Sequence, residues 1–296
     1  MPIEIASTTL AGFPALRVAG EAGRPPLLFL HGAFVTHEPW RGWMTRLAGR
    51  GWTGVAPARR GRLGAGPAKA RGLRFADYLQ DTLAVIDVLG EAPILVGHSL
   101  GGLLAQKVAE AGRCRAMVLL SPAPAAMLTA QPVALPGLLP MMPGILAGQP
   151  VLPSARGCAR IALNRMPAGE RPRCHASLVH ESGAVYREMI FGAVSVDPTK
   201  VTCPTYVLGG VDDHVISRGL LRFTATRYRA DLKILDGHAH WLLEEPGWEA
   251  IVDDVADWLD RVWRAALRKE PGAVSQPVSK FVPSGAPAVS AKSLDR

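Results

Sequence analysis

Three residue types, far apart along the chain, have the makings of one nucleophilic centre. Ser99 stands in Gly97-His98-Ser99-Leu100-Gly101-Gly102. A serine hydroxyl is a poor nucleophile at neutral pH; it needs a base, and the base needs an orienting carboxylate. G-x-S-x-G arises often by chance, so its surroundings matter. Here the apolar run Pro93-Ile94-Leu95-Val96 leads into it, and a helix is expected to begin at about Leu100. A strand turning sharply into a helix strains the serine backbone and lifts the hydroxyl into the open. Neighbouring glycines avoid clashes, and the helix N-terminus favours developing negative charge.

Such a turn demands an acid after a later strand and a histidine later still. After Tyr206–Leu208 comes Gly209-Gly210-Val211-Asp212-Asp213-His214. Asp213, at the loop apex, is the favoured acid. Asp212 stays open, and the loser of the pair is expected to be a solvated or turn-capping carboxylate. After Leu232–Leu235 comes Asp236-Gly237-His238-Ala239-His240-Trp241. His240 is the favoured base, with His238 open beside it as a supporting or surface residue. The pair His238 and His240, with Asp236 nearby, could chelate a metal, but the pair lacks a convincing third ligand, so no metal is expected.

Acyl chemistry puts negative charge on a carbonyl oxygen, which two fixed N–H groups should meet. The backbone of Leu100 is one. The loop His31-Gly32-Ala33-Phe34 follows an earlier strand, and Ala33 is the expected second donor, with Phe34 behind it. His31 and His98 read as structural residues bracing these loops.

The elements needed to position these groups are visible as an alternation. Leu27–Leu30, Trp52–Ala56, Pro93–Val96, Ala116–Leu120, Pro204–Gly209 and Leu232–Leu235 read as strands. Phe75–Leu89 is amphipathic, with Leu79, Leu83 and Ile86 on one face, and Gly90 stops it. Arg218–Tyr228 and Trp248–Leu267 are also expected helices. Short apolar runs between amphipathic helices predict a parallel sheet covered on both faces. From Pro122 to Lys200 the rhythm breaks. This stretch is first rich in Pro, Met and Gly, then helical, with Ser154–Leu163 and Arg171–Val194 as candidates. Its apolar residues, among them Leu135, Leu138, Met141 and Ile145, suggest a hydrophobic substrate, although packing alone would also use them.

Bulk properties narrow the function classes. A chain of 296 residues can bury a core without disulfides or metals. Cys114, Cys158, Cys174 and Cys203 form no CxxC pair, which points to scattered thiols in a reducing, cytoplasmic setting. There is no secretory-type start and no apolar run long enough for a membrane span. The net charge of +8 comes from dispersed arginines, read as solvated, with no basic block or nucleic-acid motif, so no nucleic-acid partner is expected.

Together these residues resemble the α/β-hydrolase superfamily across about residues 3–265. The resemblance rests on His31-Gly32, the Ser99 turn, Gly210-x-x-Asp213, and Gly237-His238-x-His240 leading to Glu245-Pro246. It implies a mostly parallel eight-stranded sheet with flanking helices and a helical cap inserted after the sixth strand. It also implies a core of residues 1–121 and 201–268, a cap at 122–200 and no cofactor. Residues 269–296 are expected to be a disordered tail. One departure is Arg59-Arg60-Gly61-Arg62 where the family often shows Arg-Gly-His. Members that cleave halides or epoxides carry Asp at the turn; serine implies acyl chemistry. The leading expectation is a serine esterase or lactonase acting on a hydrophobic small molecule through an acyl-enzyme. A thioesterase, a C–C bond hydrolase or a cofactor-free perhydrolase would share the same residues, and a non-catalytic small-ligand receptor is the rival from another class.

Overall fold

The computed structural model describes residues 3–62, 66–127 and 131–269. Eight strands form one sheet: β1 (Ile5–Leu10), β2 (Phe13–Val18), β3 (Leu27–Leu30), β4 (Gly54–Pro57), β5 (Ile94–His98), β6 (Ala116–Leu120), β7 (Thr205–Gly210) and β8 (Asp231–Leu235). Their order is β1-β2-β4-β3-β5-β6-β7-β8. β1 and β2 are antiparallel, β2 meets β4 antiparallel, and every later pairing is parallel. The hairpin β1–β2 carries no clear alternation. Its turn is Ala11-Gly12, both at positive φ, where Asn-Gly would have announced a hairpin. The expected strand at Trp52 begins two residues later, at Gly54.

The central strands are apolar on both faces because helices cover both. Leu28, Leu30, Leu95, Met117, Leu119 and Val207 pack toward α2 (Phe75–Leu89), α3 (Leu100–Glu110) and α9 (Arg218–Tyr228). The alternate residues Leu27, Phe29, Val96, Val118, Leu120 and Leu208 pack toward α1 (Arg41–Ala48) and α10 (Trp248–Lys269). Period-two alternation thus feeds two hydrophobic layers. α10 takes in Lys269, the first residue of the expected tail; residues 270–296 lie outside the described residues.

Between β6 and β7 the chain forms short helices: α4 (Leu135–Leu138), α5 (Met142–Leu146), α6 (Ala155–Ile161), α7 (Arg171–Ala176) and α8 (Gly183–Ile190). The single helix expected over Arg171–Val194 is therefore two. Residues between them turn outward from helical geometry because Glu181 pairs with Val151 as a β-bridge and buries its carboxylate against Arg62 and Tyr78. Ser182 then caps α8, its hydroxyl accepting from the Val185 amide.

One expectation from composition is corrected. Arg59 and Arg62 are buried, 4% and 1% exposed, not solvated. Cys114 and Cys203, remote in sequence, bring their sulfurs to 3.7 Å, although all four cysteines are free. Among the described residues, no helix is long and apolar enough to cross a membrane.

Candidate active site

Parallel strands place their following loops at one rim of the sheet, the usual position of ligand sites in this architecture. The loops after β3, β5, β7 and β8 meet there. Ser99 follows β5 directly, with φ 53° and ψ −117°, and α3 begins at the next residue. Main-chain bonds hold this strained geometry. The Ser99 amide donates to the Leu120 carbonyl at 3.0 Å, and the Ser99 carbonyl accepts from the Gly102, Leu103 and Ala123 amides. Gly101 has a specific cause: a Cβ there would lie 2.0 Å from the Leu30 carbonyl oxygen, so only glycine lets α3 approach β3.

The structure brings Ser99, His240 and Asp213 together. The Ser99 hydroxyl lies 3.1 Å from His240 Nε2, and His240 Nδ1 lies 2.9 Å from Asp213 Oδ2. With Nδ1 protonated, Asp213 accepts from the ring and Nε2 is free to accept from the hydroxyl. Asp213 Oδ1 accepts from the Val215 and Ile216 amides at 2.7 and 2.9 Å. Burial pushes the Asp213 carboxyl up. The His240 ring and the Ile216 amide outweigh it and hold the group below the ordinary carboxylate value. The loops after β7 and β8 are tied directly, the Asp212 amide donating to the His238 carbonyl at 2.9 Å. Gly210 permits this, since a Cβ there would sit 2.1 Å from that same carbonyl oxygen.

The competing residues have other partners. Asp212 is ion-paired with Arg165, and its carbonyl accepts from Asn164 Nδ2 at 2.9 Å. It is thus neither simply solvated nor a turn cap, but a tie to the segment between β6 and β7. His238 Nδ1 lies 3.0 Å from Glu245 Oε1, and the same carboxylate accepts from the Ala239 amide at 3.0 Å. That pair fixes the peptide entering His240. His98 braces the loop from the other side, its Nε2–H donating to the His240 carbonyl at 2.8 Å. Burial, then the nearby His240, lowers the His98 pKa to about 3, so its ring stays neutral. No cluster of metal-ligating side chains occurs among the described residues.

Ala33 and Leu100 both border the serine. Leu100 opens α3, where first-turn amides lack intrahelical acceptors. Ala33, Phe34, Ser99 and His240 form one side of a cavity of about 740 Å³, counted to its open mouth. Leu138, Met141, Ile161, Tyr186 and Met189 form the other. The cavity wall contains no Asp, Glu, Lys or Arg among the described residues. Sequence reasoning missed Tyr186 and Met189, which no motif marks.

A family model described as the alpha/beta hydrolase family matches residues 27–255, so the chain belongs to that family. Solved structures share the fold. One is a monoacylglycerol lipase from Paleococcus ferrophilus, with 19% identity, TM-score 0.64, and coverage of 88% of this chain and 100% of that one. Another is 2-hydroxy-6-oxo-6-phenylhexa-2,4-dienoate hydrolase from Rhodococcus sp. strain RHA1, with 20% identity, TM-score 0.65, and coverage of 88% and 99%. A third is a soluble variant of monoglyceride lipase from Saccharomyces cerevisiae, with 15% identity, TM-score 0.67, and coverage of 88% and 95%. No curated protein matches the sequence.

Proposed function

We propose that this α/β hydrolase cleaves a carboxylic ester or lactone of an uncharged, hydrophobic small molecule through an acyl-enzyme on Ser99. The observation that carries the reading is the hydrogen-bonded line from Ser99 through His240 to Asp213, opening on an apolar cavity. His240 Nε2 takes the proton as Ser99 Oγ attacks the carbonyl carbon. Asp213 keeps the ring oriented and stabilises its positive charge. The amides of Ala33 and Leu100 meet the oxygen that becomes negative. Collapse of the tetrahedral intermediate breaks the bond to the leaving alkoxide, which takes the proton from His240. Water then repeats the sequence and releases the acid. Residues 122–200 act as the cap that selects the substrate.

The uncharged lining favours neutral substrates. The dienoate named for the Rhodococcus protein is an anion, and an anion would meet no side-chain cation in this cavity. The test is labelling by a fluorophosphonate probe together with hydrolysis of p-nitrophenyl butyrate. Wild type should label and turn over, and Ser99→Ala should do neither. Full hydrolysis by a folded Ser99→Ala protein would overturn the proposal.

A further inference from the structure

A buried arginine grips the loop that carries Ala33. The Arg59 guanidinium donates through Nη1 to the His31 carbonyl and through Nη2 to the Gly32 carbonyl, the latter at 2.7 Å. The Gly32 carbonyl has a second donor, His31 Nδ1, at 3.0 Å. His31 Nε2 lies 3.4 Å from the Arg59 amide, so the ring accepts there and donates from Nδ1. Burial, then the charges of Arg59 and Arg62, hold the His31 pKa well below its ordinary value, which keeps the ring neutral and in that single tautomer. Both lone pairs of one carbonyl oxygen are thereby engaged.

That carbonyl belongs to the peptide whose N–H is Ala33's. The peptide is planar and trans, so its N–H points opposite its C=O. Fixing the Gly32 oxygen toward Arg59 therefore fixes the Ala33 N–H away from it, in a loop whose Ala33 borders the cavity together with Ser99. A cation on the oxygen also polarises the peptide and strengthens the N–H as a donor. Arg59 is itself immobilised: its guanidinium lies 5.0 Å from the Tyr78 ring centre, and Tyr78 donates to Glu181 at 2.7 Å. Glu181 also pairs with Arg62.

We propose that Arg59 is a positioning residue that aims and polarises the Ala33 amide for the transition state. This rests on the acyl-enzyme reading above. Arg59 touches no substrate; it acts through one peptide group.

The experiment compares wild type, Arg59→Met, Arg59→Lys and Arg62→Met with p-nitrophenyl butyrate and a trifluoromethyl ketone of matching chain length. Arg59→Met should lower kcat by about 100-fold, the cost of disabling one such donor, and leave KM within about threefold. Its ketone inhibition constant should rise by the same factor by which kcat/KM falls, because the ketone adduct carries the same oxyanion. Arg59→Lys, which keeps the charge and can reach one carbonyl, should recover about tenfold of the loss. Arg62→Met breaks the same buried cluster but not the grip on the loop. At an equal loss of Tm it should retain kcat within about threefold of wild type.

A folded Arg59→Met enzyme with near-normal kcat, or with its loss confined to KM, overturns the inference. So does an Arg62→Met enzyme that loses kcat as steeply at equal Tm. If Arg59→Met does not fold, Arg59→Lys and Arg59→Gln decide by the same ketone correlation. A wild-type protein that neither labels with fluorophosphonate nor cleaves the ester sinks the acyl-enzyme reading and this inference together. A labelled wild type with an unaffected Arg59 variant sinks this inference alone.

Discussion

The rim loops and the segment between β6 and β7 face each other across one cavity, yet they are held in place by different means. The nucleophile turn is fixed by its own backbone, the Ser99 carbonyl accepting three amides, while the other rim loops combine a main-chain bond between the loops after β7 and β8 with braces from the Arg59, His98 and Glu245 side chains. The opposing segment is attached mostly by side chains, beside a main-chain bond from the Val179 amide to the Phe34 carbonyl at 2.7 Å. Arg62 pairs with Glu181, Arg165 with Asp212, Arg74 with Glu188, and Gln131 donates to the Asp213 carbonyl. Main-chain bonding to glycine-dependent turns keeps reacting groups in register. Side-chain attachment lets the facing wall change its lining without disturbing them. Under the proposed function, the rim sets the chemistry and the facing segment sets what is admitted.

The sharpest test of that division is the pair of adjacent carboxylates. Asp213→Asn should cut kcat by about 10⁴-fold with little change in Tm, because the wrong His240 tautomer is then favoured. Steady-state hydrolysis of p-nitrophenyl butyrate measures it. If the loss falls on Asp212→Asn instead, the division is wrong. Next in size, Glu181→Ala strips the buried Arg62 of its counter-charge and should cost about 3–5 kcal/mol in urea unfolding. Loss of attachment there should also broaden the range of accepted ester chain lengths.

The rim's neutral histidines predict a pH dependence of stability. Unfolded, His31 and His98 titrate near 6.5; folded, both are held well below that, His98 at about 3. Below pH 6.5 the unfolded chain binds protons that the folded chain refuses. Their contribution is therefore full above about pH 6.5 and declines as pH falls toward the folded values. Each can steepen the decline by up to about 1.4 kcal/mol per pH unit. Urea midpoints taken between about pH 7.5 and pH 4.5 should show this slope, flattened in His98→Gln. The smallest effect should come from the partly exposed Arg165–Asp212 pair. Asp212→Asn should leave kcat within about threefold, since exposed pairs contribute little.

What was legible in the sequence follows the same division. Gly97, Ser99, Gly101 and Gly210 stand where the backbone tolerates few alternatives, so their types and order pointed to the fold and to the loops that meet. The choice between Asp212 and Asp213, or between His238 and His240, turned on which way a loop side chain points, and spacing does not encode that. The facing wall was legible only as apolar. Leu138, Met141, Ile161 and Met189 fill space that many other side chains would fill as well. The long helix expected over Arg171–Val194 failed because local periodicity does not report a tertiary partner: Arg62, over a hundred residues earlier, draws Glu181 out of helical register. For the same reason, burial of Arg59 and Arg62 was invisible to composition.

Ser99 sits in its strained turn without help from its own side chain. Every bond that fixes its backbone is made by main-chain atoms of Leu120, Gly102, Leu103 and Ala123. Those main-chain bonds do not depend on what hangs from that Cα. A thiol placed there would be presented beside the same His240 ring. Under the proposed function, position 99 is therefore where the reacting group can be exchanged without touching the main-chain bonds that hold the turn.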